Sequence, residues 1–370
     1  DALNYYHNKY KYFLVDEFQD TNYVQYVLTK LLAEKSKNIT VVGDFSQSIY
    51  SWRGADITNL KKFENDFKGT RTFYLEENYR STQKILDFAF SVISKNSTHP
   101  ILHLFTDNKP GKEVVFYQAD NEQAEAVYIA EEITRLNNGS NVVEPPPFAI
   151  LYRTNAQSRV LEEVFLHYGI PYILVGGTRF YERKEIKDIL AYLKLLINPN
   201  ESVSLERIKK LGKNRFEKFK KLYEEIKDRL ETYSTDEIIE KLFQNVDYLK
   251  LYDVEDVDDF SRLENIKELK SVALNFPKLM DFLEQVALVE SEYSQHEKQT
   301  KDNNNNRQLV LMTLHQAKGL EFDHVFIVGV EEGLLPHSRS IDDQFQLEEE
   351  RRLFYVGITR AKKTLYITNT

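Results

Sequence analysis

The sequence has 370 residues, a net charge of −9 and a pI near 5.6, with 42% hydrophobic and 29% charged residues. That balance supports packed domains of about 100–200 residues each and argues against holding nucleic acid by bulk positive charge, though not against a local groove where base stacking shares the work. The lack of cysteine excludes disulfides and cysteine-ligated metals and fits a reducing cytoplasm, and no apolar run reaches the roughly 18 residues of a membrane span.

Residues 1–12 are polar and aromatic without a signal-peptide pattern, and they lead within a few residues into a core-like segment, which reads as a cut chain. Residues 12–15 predict a buried parallel strand that ends in acids. A helix is expected over 23–33 and a second β-branched strand over 39–42, closed by Gly43. Strands alternating with helices point to a parallel sheet wound with helices. Further on, 114–117 reads as a strand, 122–136 as a helix and 149–152 as a strand after the prolines at 145–147. A helix over 156–168, a strand over 172–175 and a helix over 184–196 follow, the last stopped by Asn198 and Pro199. Residues 201–297 are charged and leucine-punctuated, and predict an inserted all-helical domain. Residues 298–308, with asparagine at 303–306, read as a polar linker. Both joints of the insertion, 198–200 and the asparagine run, lack apolar residues, so it is expected to move as a unit. Strands resume at 309–314, 325–330 and 364–368. A helix over 347–360 would carry Glu348, Glu349 and Glu350 in its first turn, where the helix dipole favours acids. No internal repeat is visible.

The strongest local signal is FLVDEFQD at 13–20. A hydrophobic strand delivering adjacent acids to its carboxyl end suits a nucleotide hydrolase: Asp16 to hold Mg²⁺ through water, Glu17 to orient and deprotonate the attacking water. A strand ending in solvated acids is the plain alternative. The segment VVGDFSQSIYSWRGAD follows at 41–56, then ENYRST at 77–82, MTLHQAKGLEF at 312–322 and ERRLFYVGITRA at 350–361. Tyr50, Trp52 and Arg53 are candidates for stacking on unpaired bases. Tyr50 and Trp52 would share one side of an extended segment.

In this order the segments resemble motifs II to VI of the UvrD/Rep/PcrA family of superfamily 1 DNA helicases. The resemblance implies two RecA-like α/β lobes with ATP bound between them: 1–78 as the remainder of the first, 79–200 and 303–370 as the second, and 201–302 as the helical insertion. It implies that Gln47 senses the γ-phosphate and that Tyr79 stacks on adenine, against a core tyrosine as the alternative. Arg80 and Arg360 would clamp the γ-phosphate, against surface ion pairs as the alternative, and Glu321 would contact the nucleotide. Lys318 and His315, on a Gly-terminated turn, would reach phosphate or the DNA backbone, against a structural turn lysine. Arg351 and Arg352, beside Glu349 and Glu350, read as surface ion pairs. Arg153 and Asn155 are open between backbone contact with DNA and a solvated arginine beside a helix cap. The sequence LGKNR at 211–215 weakly resembles the family's glycine turn that meets duplex DNA.

No G-x-x-x-x-G-K-[ST] loop occurs in the 370 residues, so the chain is expected to be the carboxy-terminal part of a 3′–5′ helicase and inactive alone. ATP and Mg²⁺ are the implied cofactors, and single-stranded and duplex DNA the implied partners, with no membrane. The rivals are the helicase subunit of a helicase–nuclease, a non-catalytic helicase-like module and, more weakly, an RNA motor.

Overall fold

The computed structural model describes residues 2–138, 147–302 and 309–370. The elements are α1 (Ala2–Lys9), β1 (Phe13–Val15), α2 (Tyr23–Ala33), β2 (Ile39–Val41), α3 (Thr58–Asp66), α4 (Gln83–Ile93), β3 (Val115–Gln118), α5 (Glu122–Asn138) and β4 (Phe148–Tyr152). There follow α6 (Ser158–His167), β5 (Tyr172–Leu174), α7 (Lys184–Ile197), α8 (Ser202–Lys210), α9 (Lys213–Ile226), α10 (Thr235–Val246), α11 (Val257–Leu274) and α12 (Leu279–Asp302). The chain closes with β6 (Leu309–Thr313), β7 (Phe322–Ile327), α13 (Gln344–Ile358) and β8 (Ala361–Asn369). The prolines at 145 and 146 and the asparagine run at 303–306 lie outside the described residues.

The fold is α/β with parallel sheets, of the RecA-like kind, and the chain divides into two compact units. The first gathers residues 1–125, 142–153 and 312–370. In it β1 pairs in parallel with β2, Phe13 opposite Ile39 and Val15 opposite Val41. Phe18, Tyr26 and Phe63 form the core beneath that pair. A larger parallel sheet runs β3-β8-β7-β4. All five positions of β4 are buried, as expected of a parallel strand covered on both faces. Loops at the carboxyl ends of parallel strands are where such sheets present ligand-binding residues. Here Asp16 follows β1, Gly43 and Asp44 follow β2, Arg153 follows β4 and His315 lies just past β6.

The second unit gathers residues 126–141 and 154–311, with β5 and β6 paired in parallel. One hydrophobic core runs through it, from Phe180, Ile189, Leu193 and Leu196 to Ile208, Phe219, Leu269 and Phe282. That core corrects the expectation of a joint without apolar packing at 198–200. The polar residues there only turn the chain, while α7 and the helices after it bury their apolar faces in a common interior. Polar contacts reinforce the bond: Asp188 on α7 takes Arg207 at 2.6 Å and the Tyr248 hydroxyl at 3.1 Å. Arg183 donates to Ser158 and Asn265, each at 2.8 Å.

Candidate active site

The site is built from the first unit. Asp16 and Glu17 are exposed at the end of β1. Glu17 adopts φ 50°, ψ 40°, a left-handed conformation that costs a residue with a Cβ about 1–2 kcal/mol. Neighbours hold it there, and such strain concentrates at functional positions. Gln19 Nε2 donates to Glu17 Oε2 at 2.7 Å, and the Glu17 amide donates to Asp16 Oδ1 at 2.8 Å. Gln19 is fully buried, and its Oε1 accepts from the Asp44 amide at 3.1 Å. A Cβ on Gly43 would stand 2.6 Å from that oxygen, so glycine permits the approach. Asp44 caps the turn Phe45–Gln47 through the Ser46 amide at 2.8 Å, and its Oδ2 accepts from Gln47 Nε2 at 2.9 Å. Glu17 and Gln47 are thus the two ends of a hydrogen-bonded run through Gln19 and Asp44. The exposed Asp16 carboxylate fits Mg²⁺, which keeps several waters and takes one or two carboxylates.

Lys318 closes this group. Its ammonium bonds Asp20 and the Gln47 carbonyl, the latter at 2.9 Å, and stands 3.3 Å from Glu17 Oε2. It sits on the turn after β6 that ends at Gly319, whose φ of 84° suits glycine. Burial raises the Asp20 pKa, against the pull of Lys318.

The two motif arginines meet beyond that turn. Asn78 Oδ1 accepts from the Arg80 and Ser81 amides, both at 2.9 Å. The Arg80 side chain donates to Glu321 Oε2 at 2.8 Å and to the Thr359 carbonyl at 3.3 Å. Lys362, with Arg80, holds the Glu321 carboxyl down to about 2. Arg360 is 2% exposed. Its guanidinium donates to Val356 O at 2.9 Å, Leu320 O at 3.2 Å and Thr359 Oγ1 at 3.0 Å. Burial, then the Arg80 charge, lowers it to about 10. The Arg360 guanidinium, still cationic at neutral pH, and that of Arg80 beside it form a place where an anion is stabilised. Tyr79 is 79% exposed, its hydroxyl donating to Glu77 at 2.7 Å; it is not a core tyrosine.

Trp52 is 42% exposed, so its ring is open to solvent rather than packed in the core. Ser51–Arg53 forms a 3-10 turn closed by Gly54 at φ 83°, which corrects the expected extended segment. The turn still brings the Tyr50 and Trp52 rings to 6.4 Å, at 61°. The Arg53 guanidinium lies 4.5 Å above the indole, within cation–π range. His315 meets Trp52 edge-on at 6.3 Å, and the Tyr50 hydroxyl donates to its carbonyl at 3.2 Å. Burial first, then Arg153 and Arg53, depresses the His315 pKa to about 3, so the ring is neutral. Arg153 is not solvated: its guanidinium grips Glu350 at 2.8–3.1 Å. The helix cap nearby is Thr154, paired with Gln157, rather than Asn155. Leu211 and Gly212 form the turn between α8 and α9, with Gly212 at φ 119°, and Lys213, Asn214 and Arg215 open α9.

The acids of α13 are also placed differently from expectation. The helix begins at Gln344, capped by Asp343, so Glu348, Glu349 and Glu350 fall beyond its first turn. Successive residues point about 100° apart on a helix, and each glutamate takes a separate partner. Glu348 accepts from the Ser97 amide at 2.9 Å, Glu349 from the Ser51 amide at 3.1 Å, and Glu350 from Arg153 and the His337 amide, the latter at 3.1 Å. Arg352 is 1% exposed rather than a surface ion pair, and donates to the Ser48 carbonyl at 2.7 Å. Arg351 reaches Asn96 Oδ1 at 3.1 Å.

Comparison with known proteins gives the family. The model of the UvrD-like helicase C-terminal domain matches residues 73–246 and 209–370, and that of the UvrD/REP helicase N-terminal domain matches 1–68. The chain is 41% identical over its whole length to the ATP-dependent DNA helicase PcrA of Bacillus subtilis, covering 56% of that protein. It is 42% identical to the PcrA of Staphylococcus epidermidis and 40% to that of Staphylococcus aureus, again over the whole chain and 56% of the relative.

The chain belongs to the UvrD/Rep/PcrA helicase family. It spans about half the length of the curated relatives it matches. In this member of the family the fold brings Glu17, Gln47 and Lys318 together, sets Arg80, Glu321 and Arg360 beside one another, and gathers Tyr50, Trp52, Arg53 and His315 into one aromatic group. Sequence reasoning gave no role to Gln19, Asp44 or Asn78, which connect these residues. Asn78 had a readable signal, since Asn commonly bonds backbone amides two residues on. Gln19 had none, because its partner amide is 25 residues away in sequence.

Proposed function

We propose that these residues are the motor part of an ATP-dependent helicase that moves 3′ to 5′ on single-stranded DNA and unwinds duplex. The observation that carries the reading is the approach of strained Glu17, through Lys318 and its turn, to the adjacent guanidiniums of Arg80 and Arg360. Glu17 orients the attacking water and takes its proton as the oxygen–phosphorus bond forms and ADP leaves. Arg80 and Arg360 neutralise charge that grows on the transferred phosphoryl oxygens. Gln47, an amide that both donates and accepts, senses the γ-phosphate. Asp16 would hold Mg²⁺, which would offset negative charge on the phosphate oxygens. Tyr79 offers an exposed face to adenine, and Glu321 and Lys318 complete the nucleotide side. Tyr50, Trp52, Arg53 and His315 form the platform for unpaired bases. The lobes of this reading are 1–78, then 79–200 with 303–370, with 201–302 as the insertion. Among the described residues no helix is long and apolar enough to cross a membrane, and we assign the protein to the cytoplasm.

The 370 residues contain no phosphate-binding loop, so on this reading they do not hydrolyse ATP by themselves. In a helicase that supplies the loop, Glu17→Gln and Arg360→Ala should each lower turnover by roughly 10³-fold or more, with single-stranded DNA binding largely kept. Steady-state phosphate release and DNA binding on both variants test this. Parallel loss of DNA affinity in correctly folded variants would overturn the assigned roles, and Mg²⁺- and DNA-dependent turnover by the 370-residue chain that Glu17→Gln abolishes would overturn its inactivity alone.

A further inference from the structure

Glu349 and Arg352 have no part in the chemistry above. They stand three residues apart on α13, and so on one face of it, and both reach residues 48–51. Glu349 Oε1 accepts from the Ser51 amide at 3.1 Å, and Arg352 Nε donates to the Ser48 carbonyl at 2.7 Å. Both targets are backbone groups, so the bonds fix the path of the chain. Gln47 immediately precedes the first anchored residue, and Trp52 immediately follows the second.

The arrangement is costly for a packing role alone. Arg352 is 1% exposed, its Nη1 and Glu349 Oε2 have no hydrogen-bond partner, and the two side chains approach only to 3.8 Å. A buried, loosely paired charge is commonly worth less than a well-packed apolar residue of similar volume. What an apolar residue cannot supply is a directed bond to one amide and one carbonyl of a loop.

We propose that Glu349 and Arg352 are positioning residues that hold residues 48–51 against α13, and so set the spacing between Gln47 and Trp52. What that spacing accomplishes, transmission from the γ-phosphate to the bases, rests on the helicase reading; the positioning itself does not. Arg360 lies just beyond the carboxyl end of α13. A shift of the helix as Arg360 engages phosphate would therefore reach both anchors together.

Trp52 is the only tryptophan, so the emission of the 370-residue protein reports this loop. Glu349→Ala removes the acceptor, Glu349→Gln keeps an acceptor oxygen, and Arg352→Met keeps the bulk without the donor. Losing one such bond should shift the held-to-released ratio of the loop roughly fivefold. Acrylamide quenching of Trp52 should therefore rise in Glu349→Ala and Arg352→Met and return to the wild-type value in Glu349→Gln, with melting recorded on each. If Arg352→Met does not fold, the Glu349 pair decides the matter. Emission and quenching in folded Glu349→Ala identical to wild type would overturn the proposal. Oligo-dT added to the same samples separates the two readings. Wild-type emission indifferent to oligo-dT would remove the base platform and leave the positioning result standing. Oligo-dT binding that is weakened in Glu349→Ala and restored in Glu349→Gln supports both.

Discussion

His315 is a neutral imidazole among cations. In the unfolded chain it titrates near 6.5, and in the folded protein burial, Arg153 and Arg53 take it to about 3. Between those values the unfolded chain binds a proton that the folded protein refuses. Stability contributed by this residue is therefore complete above 6.5, falls as pH drops through 6.5, and stops falling near 3. Melting temperatures taken down this window should decline more steeply for the wild type than for His315→Gln; parallel curves would mean that the ring is protonated in place. The sequence offered His315 as a candidate contact, but its charge state follows first from burial and then from Arg153, which is distant in sequence and held by Glu350. The same division holds for Glu17. The residue type was readable from the strand that precedes it, whereas its left-handed backbone depends on Gln19 and Lys318.

At the scale of elements, α13 shows how packing overrides propensity. Glycine inside a helix is disfavoured against alanine by about 1 kcal/mol, so propensity alone predicts that Gly357→Ala stabilises. The structure predicts the reverse. A Cβ at 357 would run into the Leu314 side chain and stand 3.0 Å from Ile327 Cδ1. Relief of such overpacking costs about 1–3 kcal/mol, so Gly357→Ala should melt lower than the wild type; a higher melting temperature would show that Leu314 and Ile327 yield to the methyl group. The helix itself was visible in its apolar pattern. Its true start was not, because Asp343 caps it and three further residues precede the leucine at which the pattern becomes clear. The start matters, since it moves Glu348, Glu349 and Glu350 from dipole partners to gripping residues.

For the whole molecule, the second unit is a test of where cooperative boundaries lie. With Leu193 of α7 in the same core as Ile208 and Leu269, amides of α7 should exchange with solvent together with those of α8 to α11. Leu193→Ala should cost about 2–5 kcal/mol and speed exchange across all of these helices in hydrogen-exchange mass spectrometry. Faster exchange confined to α7 would show that the helices from 201 onwards form an independent body. Polar composition at 198–200 suggested a joint because a short window of sequence reports exposure, whereas continuity of a core depends on which distant apolar faces meet.

By itself the sequence determined the α/β class, the strands and most of the helices, because burial on a parallel sheet and on a helix face imposes distinct spacings on apolar residues. It also offered the residue types of the candidate site, the acids from the end of a strand, where α/β folds present chemistry, and the arginines and the indole from segments that resemble the family's motifs. Only the tertiary structure decided which of them touch. Lys318 reaches Glu17 and Asp20 across about 300 residues of chain. Arg352 is a buried anchor rather than a surface charge, and α7 shares its core with the helices beyond 201. Each of these is a contact between segments far apart in sequence, set by how separate elements pack, and no local pattern of residues encodes it.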